Sequence, residues 1–165
     1  MKTLTADEMY QYENKVINEK GVASIVLMEC ASRATVVQMK QRITKKDTIV
    51  IAAGGGNNGG DGIAVGRILH NEGFQVEILL VGNPDHYSDQ NRLQQKIAKE
   101  YGAMIKTDLA EVDFTKGTVI VDALFGIGLN RPVKGEALKV IEKINAVKQA
   151  RTYAIDAPSG LSSVE

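Results

Sequence analysis

One stretch constrains this chain more than any other: Gly54-Gly55-Gly56-Asn57-Asn58-Gly59-Gly60-Asp61-Gly62, with six glycines in nine residues. An apolar run, Thr48-Ile49-Val50-Ile51-Ala52-Ala53, comes before it and reads as a buried strand. Ile63-Ala64-Val65-Gly66-Arg67-Ile68-Leu69-His70 comes after it, and its apolar spacing predicts a helix over 62–71. The order is therefore strand, glycine turn, helix start. A plain connector needs one or two glycines; this many implies close backbone approach to a neighbour or a ligand. Free N–H groups at a helix start attract phosphate and other anions. No Lys-Ser/Thr follows, so this is not a Walker loop, and the Asn-Asn pair and Asp61 interrupt any GxGxxG fingerprint. Asn and Asp oxygens set among N–H groups suit a site for both an anion and a hard cation.

The rest of the chain predicts how that turn is mounted. At 165 residues, 44% of them hydrophobic, it is expected to form one domain over 1–165 with a sizeable core. Thr5-Ala6-Asp7-Glu8 is a capping box, so a helix should run from there to about residue 19, where Gly21 stops it. A second helix is expected over 22–42, packed on a sheet by a wide apolar face. Strands are then predicted over 48–53, 75–81, 103–106, 118–124 and 151–157. Helices are predicted over 88–101 and 135–147, besides the one at 62–71. Alternating strands and helices predict an α/β fold: a Rossmann-like, three-layer open sheet, mostly parallel, with helices on both faces. Ligands of such sheets bind beyond the carboxyl ends of the strands, where strand order reverses.

Two further strand ends answer the first. Val121-Asp122-Ala123-Leu124-Phe125-Gly126 and Ile155-Asp156-Ala157-Pro158-Ser159-Gly160-Leu161 each put a carboxylate at the end of an apolar strand. Each alone could be an ordinary turn, since Asp, Pro, Ser and Gly form turns readily. All three at one sheet edge read as a site. Its oxygens are Asn57, Asn58, Asp61, Asp122, Asp156 and Ser159. No His or Cys joins them, which argues against zinc. Few carboxylates among several neutral oxygens suit a weakly hydrated monovalent cation better than magnesium. His70 and His86 are expected to face solvent.

Charge and composition exclude several classes. Lys plus Arg number 20 and Asp plus Glu number 20, so no broad basic surface invites nucleic acid. No apolar run nears the roughly 20 residues that span a bilayer, and the opening Met1-Lys2-Thr3-Leu4 does not begin a signal peptide. Cys30 is the single cysteine, which fits a reducing compartment such as the cytoplasm. Its apolar helical setting predicts a buried small hydrophobe.

These motifs resemble a known family. Asn57-Asn58-Gly59-Gly60-Asp61-Gly62, Val121-Asp122-Ala123-Leu124-Phe125-Gly126 and Asp156-Ala157-Pro158-Ser159-Gly160-Leu161, in this order and spacing, resemble the YjeF N-terminal domain, the NAD(P)H-hydrate epimerases. Leu27-Met28-Glu29-Cys30-Ala31 is similar to a stretch of the same family. The resemblance covers nearly the whole chain. It implies interconversion of the R and S epimers of hydrated NADH and NADPH (NAD(P)HX), a repair step ahead of a dehydratase that accepts only the S form. It implies potassium (K+) as cofactor, held by Asn58, Asp122 and Ser159. It implies substrate contacts from Asn57, Asn58, Gly59, Gly60 and Asp61, from Gly126, Ile127, Gly128, Leu129, Asn130, Arg131 and Pro132, and from Asp156. A homodimer and a fused or separate dehydratase domain are the partners it implies; nucleic acid and membrane are not expected.

The chemistry needs an acid for the leaving hydroxyl and a base for the incoming water. Asp156 is the expected catalytic residue, because a metal ligand such as Asp122 must stay ionised. Ala157 stands where the family has a larger aliphatic, and Ser162-Ser163 where an acidic or amide residue is common. Family domains continue for several more elements, so the chain is expected to be a C-terminally truncated form. Two other readings are a non-catalytic nucleotide-binding module and a scaffolding domain of the same fold. The presence of Asn58, Asp122, Asp156 and Ser159 argues against the latter.

Overall fold

The computed structural model describes residues 4–129 and 131–161. Helix α1 (Ala6–Lys20) begins with the expected capping box: Thr5 N–H donates to Glu8 Oε2 at 2.8 Å and Glu8 N–H to Thr5 Oγ1 at 3.3 Å. Gly21, at φ 70°, closes it in the left-handed region. Helix α2 (Ser24–Met39) follows, then strand β1 (Thr48–Ala53), helix α3 (Asn57–Asn71), strand β2 (Gln75–Leu80), helix α4 (Asp89–Glu100), strand β3 (Met104–Lys106), strand β4 (Val119–Ala123), helix α5 (Gly135–Ala146) and strand β5 (Arg151–Ala154).

The strands form one sheet in the order β3-β2-β1-β4-β5, and every pairing is parallel. The chain moves outward from β1 through β2 to β3, then returns to lay β4 on the other side of β1. The order therefore reverses between β1 and β4, and the crevice lies beyond their carboxyl ends. Side chains of a strand alternate between faces, and here each face has its own core. Ile49, Ile51 and Ala53 of β1 pack with Ile63, Val65 and Leu69 of α3 on one side. Val50 and Ala52 pack with Val140 and Ile144 of α5 on the other. The result is the three-layer α/β arrangement expected from the pattern.

The glycine stretch is mostly helix, not loop. Only Gly54-Gly55-Gly56 forms the turn, and α3 starts at Asn57 rather than near residue 62. Close packing demands the glycines inside it. A Cβ on Gly59 would lie 1.7 Å from the Gly54 carbonyl oxygen, and one on Gly62 would lie 2.4 Å from Ala123 Cβ. Without those atoms α3 presses directly on the switch point of the sheet.

Other expectations are corrected. Helix α2 is shorter than 22–42 and packs chiefly on α3. Strand β5 ends at Ala154, not 157, because Asp156 takes φ 67° and turns the chain away. Cys30 is exposed, because it lies on the side of α2 away from the buried Met28, Ser32, Val36 and Met39. His86 is exposed as expected, whereas His70 is half-buried at the end of α3 beside Gly102.

An ion-pair network ties α2 to α3. Glu29 pairs with Arg33 at 2.9 Å and with Arg67, which is 7% exposed. Removing the Glu29 charge leaves a buried guanidinium unpaired. Glu29→Gln is expected to lower stability by about 2 kcal/mol, less than for a fully buried pair because Glu29 is partly open to water. Urea unfolding measures this as a lower midpoint at unchanged slope.

Candidate active site

Three segments meet at the rim of the sheet. The turn after β1 is held from behind by Asn91 of α4, a fully buried side chain. Its Nδ2 donates to the carbonyls of Gly54 at 2.8 Å and Gly56 at 3.0 Å. That pins the turn ahead of α3, whose first N–H groups have no partner within the helix and receive no side-chain cap. On α3, Asn57, Asn58 and Asp61 line a cavity of about 640 Å³. Ile127, Gly128 and Leu129, from the loop after β4, line it too, as do Ile155 and Asp156 after β5.

Asp156 is fixed with unusual firmness. Among the described residues it is the one non-glycine with positive φ. Ile127 N–H donates to its Oδ2 at 2.7 Å, and a Cβ on Gly126 would sit 2.3 Å from that same oxygen. Gly126 is thus required for the carboxylate to reach the loop. A left-handed non-glycine costs free energy that the surroundings must supply, and such residues cluster at functional sites.

Asp61 is the electrostatic focus of the cavity. Burial pushes its carboxyl up to about 7, and the negative charges of Asp156 and then Glu13 add to the rise. A hydrogen bond with Ser32 offsets part of it. Ser32, buried on α2, also donates to the Asp61 carbonyl at 3.3 Å.

Asp122 and Ser159 meet directly. Ser159 Oγ–H donates to Asp122 Oδ1 at 2.6 Å and Ser159 N–H to Oδ2 at 2.8 Å, while Leu124 N–H reaches Oδ1 at 3.3 Å. Phe125 N–H donates to Ser159 Oγ at 3.0 Å. This locks the ends of β4 and β5 together. Asp122 and Ser159 also border a smaller cavity of about 270 Å³ beside α5. Asn58 is on the wall of the larger cavity, and both its amide atoms are buried with no protein partner. Such an amide calls for a ligand that the polypeptide does not supply.

The remaining expected contacts are placed differently. Gly59 and Gly60 are buried, the first against Gly54 and the second against Met28. Arg131 and Pro132 are exposed and do not border the larger cavity. Asn130 lies outside the described residues. Sequence reasoning missed Asp7, Met9, Tyr10 and Glu13 of α1 and Ala31 and Thr35 of α2, which also line the cavity. Nothing in the pattern of an amphipathic helix says which partner its face will meet. Asn91 was missed as well, although a polar residue in the first turn of a helix on the glycine turn's side of the sheet is the kind of signal that could have found it.

Comparison with known proteins shows the family and the fold. The family model described as YjeF-related protein N-terminus matches residues 24–165. A protein of Limosilactobacillus reuteri (strain DSM 20016), named NAD(P)H-hydrate epimerase, is 45% identical over 164 residues, covering 98% of this chain and 76% of its own length. A protein of the same name from Lentilactobacillus buchneri is 43% identical over 165 residues, covering 98% and 74%. The crystal structure of yeast ynu0 superposes with a TM-score of 0.81 at 20% identity, over 97% of this chain and 72% of that one, a likeness of fold. With its reversed strand order, its Asn-Asn-Gly-Gly-Asp-Gly helix start and its Asp-x-Pro-Ser-Gly turn at one rim, this chain belongs to the family of the YjeF-related protein N-terminus.

Proposed function

We infer that this chain is an NAD(P)H-hydrate epimerase, interconverting the R and S epimers of hydrated NADH and NADPH. The observation that carries the reading is the convergence of Asn57–Asp61, the 127–129 loop and Asp156 on one large cavity at the switch point, in a chain whose close relatives bear that name. The opening N–H groups of α3 suit the diphosphate. The carboxylates one turn further along suit the ring.

The hydroxyl-bearing carbon of the hydrate adjoins the ring nitrogen. A proton is delivered to the hydroxyl, the C–O bond breaks as the nitrogen lone pair forms a C=N bond, and water departs. The cationic iminium then takes water on either face, and the oxonium proton returns to a base. Asp156, fixed by Ile127, is the group assigned to this proton exchange. Fixed carboxylates near the ring also favour the cation in the transition state.

The chemistry of the three donors is that of a monovalent cation site, although Asn58 lines the larger cavity and Asp122 and Ser159 the smaller one. Asn58 offers an orphaned amide oxygen, and Asp122 and Ser159 offer a carboxylate and a hydroxyl with a free lone pair. Among the described residues no cluster of three or more His, Cys, Asp or Glu competes for a transition metal. Asn58, Asp122 and Ser159 would hold K+, which would supply positive charge beside the nucleotide and fix its orientation. Crystals grown with thallium in place of potassium are expected to show an anomalous peak at Asn58; a featureless map there refutes the cation.

The enzymatic reading is tested by adding the chain to hydrate enriched in one epimer and following the R/S ratio by chromatography. Accelerated equilibration is expected; a ratio that drifts at the uncatalysed rate supports a binding module instead. No described helix is long and apolar enough to cross a membrane. The exposed Tyr12, Val26 and Val37 offer apolar surface for a second copy of the chain, as a homodimer requires.

A further inference from the structure

Helix α1 lies outside the segment that the family model matches, yet it forms one wall of the cavity. It brings Glu13, whose charge reaches Asp61 from a different element than Asp156 does. The charged side chains that line the cavity are therefore all acidic. Asp7, Glu13, Asp61 and Asp156 line it, and no Lys or Arg is among its described lining residues, although the chain as a whole is neutral. Away from the opening N–H groups of α3, an acidic wall repels a diphosphate. It attracts a group that is positive, or that becomes positive. The unpartnered, buried amide of Asn58 in the same wall independently marks the space as one that a ligand completes.

We propose that Glu13 is a substrate-contacting residue whose carboxylate, with Asp61 and Asp156, defines the ring end of the cavity and stabilises the positive charge that develops on the nicotinamide ring. The inference rests on the epimerase reading for its substrate, but it makes a claim about binding that does not need turnover. Oxidised NAD carries a permanent positive charge on its nicotinamide ring, whereas NADH carries none. The first imitates the iminium and the second the neutral reactant. A carboxylate acting on the ring must tell them apart; one that only props up α1 must not.

The test uses the full chain and the variants Glu13→Gln and Glu13→Asp. Glu13 is exposed and glutamine is as good a helix former as glutamate, so the variant keeps the fold. Affinities for oxidised NAD and for NADH are measured by calorimetry, beside the kinetics of R/S equilibration. Glu13→Gln is expected to weaken oxidised NAD roughly fivefold with NADH unchanged, and to lower kcat about tenfold with KM within about twofold. Glu13→Asp should recover most of both effects. The effect on oxidised NAD should shrink in about 0.5 M salt, because Glu13 is open to solvent. Equal loss of both nucleotides, or no loss of either, overturns the proposal. If the wild-type chain binds the nucleotides but does not speed equilibration, the epimerase reading fails, and the discrimination between the two nucleotides still decides the role of Glu13.

Discussion

Replacing Asp156 by asparagine is expected to slow R/S equilibration at least about a hundredfold in kcat, within the range that a positioned acid–base group supplies. KM should stay within about threefold, because the cavity is lined by many other groups. The substitution is well chosen on structural grounds. Asparagine tolerates the left-handed region that Asp156 occupies at φ 67°, so the turn after β5 survives. Its side-chain oxygen can still accept the Ile127 N–H, so the 127–129 loop keeps its anchor. What is lost is the ability to take and return a proton. A variant that equilibrates the epimers at the wild-type rate would show that the proton passes through another group.

The second large effect concerns stability. Burial raises the Asp61 carboxyl to about 7, with Asp156 and Glu13 adding to the rise, against about 3.8 when unperturbed. The native state therefore holds a proton that the unfolded state has released between about pH 4 and pH 7. Its contribution is fully present below about pH 4 and is lost as pH rises through 7. Stability should consequently fall over that window by roughly 2–4 kcal/mol from this one group. Asp61→Asn removes the ionisable group. It is expected to raise stability at pH 8 by roughly 3 kcal/mol and to change it little at pH 4. Urea melts of both proteins at the two pH values measure this. A gain of equal size at pH 4 would assign it to packing instead of charge. On the proposed mechanism the charge that costs stability at Asp61 sits where the reaction would develop a cation, a trade that active sites commonly make.

Sequence and structure divide unevenly in this molecule. The apolar runs at Ile49–Ala53 and Val119–Val121 announced buried parallel strands, and the capping box at Thr5 and Glu8 announced α1. Such signals are local, and their meaning does not depend on distant partners. The start of α3 was misplaced by five residues, because glycine has low helix propensity and six of them read as loop. Their helical state comes from tertiary contact, since Gly59 and Gly62 lie where any side chain would strike Gly54 or Ala123. Cys30 illustrates the same limit. An apolar stretch of helix does not say which of its sides will be covered.

For the site, motif spacing put Asp122, Asp156 and Ser159 at strand ends and Asn58 and Asp61 in a turn that proved to be the first turns of α3, and chain alternation alone places such βα connections on one rim. The sequence by itself determined that rim and the chemical types standing on it. Only the tertiary structure decided that α1 folds over the cavity, that Asn91 holds the turn from behind, and that Asp122 and Ser159 bond to each other while Asn58 is left without a partner. The reason is physical. Local periodicity selects helix or strand, but the field at a carboxylate is a sum over charges from segments far apart in the chain, and no local pattern contains that sum.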